Sequence, residues 1–232
     1  MTARLLAIET ATESCSAALL VGDAAIERSE IAPRRHAELI LPMIESLLAE
    51  AGVTRRQIDG IAVGRGPGAF TGVRLAISVA QGLALGLDVP VVPVSSLAAL
   101  AQDVDAPRDL PILAVIDARM GEIYAGAFRR GSHGLVEPFG EESVGPAAQL
   151  ALPPVDDWCV VGSGWAVYRD ALLPRLRRAP GWSDGNRFPQ ARAIARLAAP
   201  QFAAGHAVAP EAALPVYLRD KVALTLDEQR AR

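Results

Sequence analysis

Glu9 closes the apolar run "LLAIE", Asp117 closes "LAVID", and the hydroxyl residues Thr10 and Thr12 follow the first of these acids. Each acid stands at the tip of a strand–turn–strand pattern. Two such turns facing each other across a cleft can hold a magnesium nucleotide through water and backbone amides. Glu9, Thr10, Thr12, Asp117 and the glycines Gly162 and Gly164 therefore form a candidate nucleotide cleft. Turn residues that satisfy their own backbone are an equally good reading of the acids.

Other chemistries find less support. His36-x-Glu38 opens a helical pattern, but Ile40 occupies the place one turn on where a second ligand would stand, and His133 and His206 lie in unrelated segments. No metal site is expected. Ser95, Ser96, Ser163 and Cys159 have no histidine near them in the chain, so no catalytic residue is assigned. The stretch "GRGPGAFTGVRLAISVAQGLALG" from Gly64 contains Gly64-x-Gly66-x-x-Ala69, a permissive dinucleotide fingerprint. The strand after it ends in Ser95 and Ser96 where a ribose-binding acid would stand, and no lysine follows the glycines. The glycines are instead expected to turn the chain sharply at Pro67 from a strand into a helix.

The elements that must position these residues follow from periodicity. "RLLAIETATESCSAALLVGD" is a hairpin, and "HAELILPMIESLLAEAG" has helical spacing with Gly52 as its cap and Pro42 as a kink or first turn. "DGIAVGRGPGAF" is a buried strand entering the glycine turn, with Thr71 as the expected N-cap of the next helix. Asp and Pro crowd residues 103–111, which places a domain boundary near 105/106. Beyond it the patterns return: "LAVID" repeats "LLAIE" 108 residues later, and "DWCVVGSGW" repeats "DGIAVGRGP" 98 residues later. Each copy of the second pattern precedes an Ala-rich helix, the later one being "QARAIARLAAPQFAAG". Repeats in the same order imply a duplicated α/β fold, two related domains (1–105 and 106–232) with a cleft between them.

The helix after the glycine turn is apolar almost all round. Ala76, Ala80 and Ala84 form one row of small residues and Ser78, Gly82 and Gly86 another, so a foreign backbone could approach closely. A helix of this kind needs cover on two sides. One side is its own sheet; a second chain or a single large core is the alternative for the other.

Bulk properties set limits. Net charge is −3, with 51% hydrophobic residues, which excludes a broad cationic field for nucleic acid and leaves only Glu228 to Arg232 as an expected disordered tail. The basic runs Arg34-Arg35, Arg55-Arg56 and Arg175 to Arg178 are expected at solvated helix ends. Two distant cysteines, no signal-peptide core and no helix long and apolar enough for a bilayer suggest a cytoplasmic protein.

Several motifs in order, "LAIETATESCSAAL", "RHAELILPMI", "GRGPGAFTGVRLA", "GLALGL", "VIDARMGEIYAGAF" and "LPVYLRDKVA", resemble the bacterial TsaB (YeaZ) family of the actin-like ATPase superfamily, across almost the whole chain. The resemblance implies duplicated actin-like (ribonuclease H-like) domains, each a mixed sheet with helices, the last ~20 residues packing back on the first. It implies a dimerization subunit for synthesis of threonylcarbamoyladenosine beside the anticodon of tRNA, bound to the catalytic paralogue TsaD. A TsaE-like ATPase and a homodimer are left open as further assemblies, and tRNA would be met only through the complex. TsaD carries a metal-binding histidine pair where this chain has His36 and Ile40. The family's contacts fall on the two helices above, which makes Leu39, Ile40, Met43, Leu47, Arg74, Ser78, Gln81, Gly82 and Leu85 the expected partner interface. In superfamily members that hydrolyse ATP a glycine follows the first acid, whereas Glu9 is followed by Thr10-Ala11-Thr12, so ATP with magnesium is expected only weakly or at the partner interface. The alternatives are a magnesium-nucleotide phosphotransferase or ATPase and, more weakly, a glycoprotease-like metallopeptidase.

Overall fold

A computed structural model describes residues 3–105, 107 and 109–219, so the expected tail at Glu228 to Arg232 lies outside the described residues. The first half runs β1 (Arg4–Glu9), β2 (Ser14–Val21), β3 (Ala24–Ile31), α1 (His36–Ala51), β4 (Gly60–Gly64), α2 (Phe70–Leu87), β5 (Val91–Val94) and α3 (Ser96–Gln102). The second runs β6 (Ile112–Arg119), β7 (Glu122–Arg130), β8 (Val136–Pro138), β9 (Ser143–Pro146), β10 (Cys159–Val161), α4 (Ser163–Leu172), β11 (Trp182–Asp184) and α5 (Ala191–Ala203).

The two sheets have one topology. Their strand orders are β3-β2-β1-β4-β5 and β8-β7-β6-β10-β11, with β9 also paired to β7. In each, the first two strands are antiparallel, and the later strands join the first in parallel. This is the duplicated actin-like arrangement. One equivalence differs from the sequence expectation: the helix directly after β10 is α4, and α5 follows β11 as α3 follows β5. Ala-rich composition cannot distinguish two helices of one repeat.

Alternation along the strands builds three layers of core. In β1, Leu5 and Ala7 face the middle of the molecule, while Leu6 and Ile8 face α1 and α2. In β6, Ile112, Ala114 and Ile116 face the same middle layer, and Leu113 and Val115 pack under α4. Between the sheets lie α3 and α5, and they are exchanged: α5 packs on β1, β2 and β4, whereas α3 packs on β6 and β7. The sheets change over between residues 102 and 112, but the halves share one middle core. Among the last described residues, Ala213 is fully buried beside α2, and Val216 donates its N–H to Arg65 O at 2.9 Å.

The glycine stretch behaves as a close-packing device. A Cβ at Gly64 would come within 3.0 Å of the Glu9 carboxylate, one at Gly68 within 3.0 Å of Ala11, and one at Gly72 within 3.0 Å of Thr10 O. Ala69 donates its N–H to Ala11 O at 2.7 Å, so the helix begins at Phe70 with Ala69, not Thr71, as N-cap. The docked turn decides the start before a side-chain cap can. On α1, Gly52 is the left-handed C-cap and Pro42 lies inside the helix. Arg34 and Arg35 precede α1 at its N-terminus, where the dipole does not favour them; Arg35 pairs instead with Glu30 and Glu38.

By length and composition alone, α2 is long and apolar enough to cross a membrane, contrary to the sequence expectation. Its Val73, Ala76, Ile77, Ala80 and Ala84 face is in the core, while Arg74, Ser78, Gly82 and Leu85 are exposed. Gly72→Ala should destabilise by about 2 kcal/mol through overpacking, lowering Tm by several degrees. Gly86→Ala, in the same helix with nothing within 4 Å, should raise stability by roughly 0.5–1 kcal/mol. Thermal unfolding of the two variants tests this contrast, and equal shifts would contradict the close approach.

Candidate functional site

Glu9 is fully buried and does not open onto a cleft. Its Oε1 accepts the Ala11 N–H at 2.6 Å, its Oε2 accepts the Ser96 hydroxyl at 2.7 Å, and the bare Cα of Gly64 leaves room for the carboxyl. Burial pushes its pKa above the usual carboxylate range, against the lowering effect of these hydrogen bonds. Thr10 is equally buried and donates its hydroxyl to Gly72 O at 2.7 Å. Of the two readings left open by the sequence, these residues follow the structural one: Thr10 clamps the turn to α2, and Glu9 ties it to Ser96 at the start of α3.

The second acid is tied differently. Asp117 accepts the Arg119 N–H at 2.8 Å and the Tyr168 hydroxyl at 3.1 Å, and its other oxygen pairs with Arg119 at 2.7 Å. Arg119 reaches on to Glu13 at 2.6 Å, so one guanidinium bridges the turns of both repeats. Gly162 and Gly164 face inward to β6: a Cβ at Gly162 would strike Val115 O and Leu100, and one at Gly164 would crowd Val115. They serve packing and do not line the cavity.

That cavity, about 440 Å³, opens between the β1–β2 and β6–β7 turns and is lined by residues including Thr12, Arg34, Phe70, Asp117, Tyr124 and Tyr217. Only Thr12 and Asp117 of the candidate nucleotide residues are on its wall. His36 also borders it, with Nε2 at 2.9 Å from Thr12 O. Among the described residues no cluster of three or more His, Cys, Asp or Glu could hold a metal ion. The serines weighed as nucleophiles are engaged: Ser95 caps α3 and donates to Glu142, and Ser163 accepts the Asp117 N–H. Burial raises the thiols of Cys15 and Cys159 to about 11, far from the thiolate form.

At the rim stands a stack that periodicity could not reveal. Phe70 and Tyr217 rings lie 5.9 Å apart, and the Arg74 guanidinium sits 3.3 Å from the Phe70 centroid. The segment around Tyr217 thereby pins the start of α2; the motif "LPVYLRD" was the only sequence signal for it. Gln81 donates to Ala213 O at 3.1 Å, so this segment also covers one flank of α2.

The expected partner-interface residues divide accordingly. Ile40 and Leu47 are core residues, 1% and 0% exposed, because they point from α1 into the sheet. Leu39 and Met43 are half-buried against that core, and Gln81 is half-buried beside Ala213. Arg74, Ser78, Gly82 and Leu85 are exposed, and Leu85 reaches 65%. Among the described residues nothing lies within 4 Å of where a Cβ would stand on Gly82 or Gly86.

Comparison with known proteins gives concordant matches. The family model for TsaD, tRNA N6-adenosine threonylcarbamoyltransferase, matches residues 26–224. The tRNA threonylcarbamoyladenosine biosynthesis protein TsaB of Escherichia coli is 39% identical, with 95% of this chain and 96% of that protein covered. Its namesake from Haemophilus influenzae is 36% identical, with 94% of each covered. The solved structure of YeaZ from Pseudomonas aeruginosa superposes with a TM-score of 0.86 at 44% identity, covering 93% of this chain and 100% of that one.

The buried Glu9 makes a testable difference. An acid whose pKa is raised on folding stabilises most below its unfolded value, 4.5, and loses that contribution as pH rises through the folded value. Glu9→Gln keeps the acceptor for Ala11 and removes this loss. Its Tm should fall less than that of the unaltered protein between about pH 4.5 and 7. Parallel Tm curves for the two proteins would contradict a raised Glu9.

Proposed function

This chain belongs to the TsaB family of tRNA threonylcarbamoyladenosine biosynthesis proteins, and from that premise we propose that it is the non-catalytic dimerization subunit, binding and activating a TsaD-like catalytic paralogue. The observation that carries this reading is the uncovered face of α2. Ser78, Gly82 and Gly86 form an exposed row of small residues, flanked by Arg74 and Leu85. A glycine in a helix costs about 1 kcal/mol relative to alanine, and among the described residues nothing uses the space that these two leave. A partner helix using that space could approach backbone to backbone and cover Leu85.

The non-catalytic half of the reading is supported by the fate of the acids. Glu9 is consumed by Ala11 and Ser96, and Asp117 by Arg119 and Tyr168. In this reading the protein contributes no acid, base or metal to the transfer, requires no cofactor of its own, and meets tRNA in the cytoplasm through the complex. A homodimer in isolation would use the same face of α2, in competition with TsaD.

The test is a titration of the full-length chain with its TsaD-like paralogue. Gly82→Leu should weaken association by about tenfold or more while leaving the isolated chain at least as stable as before, because its side chain points into open space and a helical glycine is removed. Reconstituted tRNA modification should drop at limiting subunit concentration and recover when the variant is in excess. Unchanged affinity contradicts the α2 interface; loss of modification that excess protein cannot restore contradicts a purely docking role.

A further inference from the structure

Phe70, Arg74, Ser78, Gly82 and Gly86 follow one another at four-residue spacing along α2, so the row of small residues leads, toward the helix N-terminus, to a cation and a ring. Arg74 is the only charged residue in that helix. Its guanidinium carbon lies 3.3 Å from the Phe70 ring centroid and 4.9 Å from that of Tyr217, and the two rings are themselves 5.9 Å apart. Phe70 is 52% exposed, Tyr217 46%, and Arg74 is exposed with them. Three solvent-facing side chains are thus ordered on one another before anything covers them.

The charge in this stack has no counterpart. Neither α2 nor the flanking residues 213–219 contain an acid, and among the described residues Arg74 makes its two ring contacts but no hydrogen bond or ion pair. A guanidinium laid over an aromatic face keeps the five N–H donors at its edge for other partners. Water satisfies them while the face is open. A protein that covers the row removes that water, and a charge buried without an opposite charge is strongly destabilising. The covering surface must therefore bring a carboxylate to the head of the row. A second copy docking α2 on α2 would bring another arginine and no acid, whereas a paralogue of different sequence can carry one there.

We propose that Arg74 is the specificity-determining cation of the α2 contact, held by Phe70 and Tyr217 to receive an Asp or Glu side chain of the TsaD-like paralogue in a bidentate pair. The inference rests on the α2 reading above and adds the chemistry that selects the partner. Small residues let any helix come close; the unmatched cation accepts only one that carries an acid at the right place. Arginine and tyrosine are also the side chains in which binding energy most often concentrates, because they bury a large rigid surface at little cost in freedom.

The full-length chain and its TsaD-like paralogue provide the test, by titration at low and high salt. Arg74→Met keeps an apolar stem over the rings and removes the charge. It should weaken association by about tenfold or more at low salt and flatten the salt dependence. A merely packing role would instead lower affinity equally at both salt concentrations. Arg74→Lys keeps the charge without the fork and should recover part of the loss. It also introduces an amine into a chain whose one lysine is Lys221, so a carbodiimide should cross-link position 74 to an Asp or Glu of the paralogue and identify that acid by mass spectrometry. Unaltered affinity and salt dependence in Arg74→Met, with no cross-link at position 74, overturn the proposal. The α2 reading then stands if Gly82→Leu still weakens association, and falls with it if Gly82→Leu does not.

Discussion

Three glycines spaced four residues apart let the start of α2 lie directly against the turn between β1 and β2. Gly68 meets the Ala11 backbone and Gly72 the Thr10 backbone with no side chain between them, while Gly64, at the end of β4, leaves the slot that the Glu9 carboxyl fills. Hydrogen bonds then close the contact, from Ala69 to Ala11 O and from Thr10 to Gly72 O. Any Cβ at these positions would push the helix off the turn. Since α2 is held so firmly at its N-terminus, its orientation on the sheet is set, and so is the identity of the face left outside.

The same constraint explains why the acid turns make a poor catalytic pair. A carboxyl that must fill the slot beside Gly64 cannot also reach the cavity, and its burial favours the proton. On the second repeat, Arg119 neutralises Asp117 and joins it to Glu13, which ties the two repeats together at the cavity mouth. The exchanged helices α3 and α5 fill the space between the sheets, and the cavity that Asp117 borders lies at the turn end. An actin-like frame is thus kept while its acids are turned to structural use.

Much of the fold was legible because its elements are patterned on both faces. Strands β1, β2 and β4 and helices α1 and α2 emerge from periodicity, and the duplication from "LLAIE" and "LAVID". Periodicity does not say which neighbour an apolar residue meets, so Ile40 and Leu47 could be placed on an interface although they face the sheet. Local capping rules favoured Thr71, but the docking of Ala69 on Ala11, 58 residues earlier, decided the helix start.

The central claim is that the exposed row on α2 exists to be covered by a catalytic paralogue. Hydrogen–deuterium exchange of the full-length chain, alone and with a saturating TsaD-like partner, measures that cover directly. Slower exchange should concentrate in α2 and the adjoining part of α1, with the Arg192 to Arg196 region of α5 unchanged. Exchange in α2 that is the same in both states, with protection appearing elsewhere, would contradict the account.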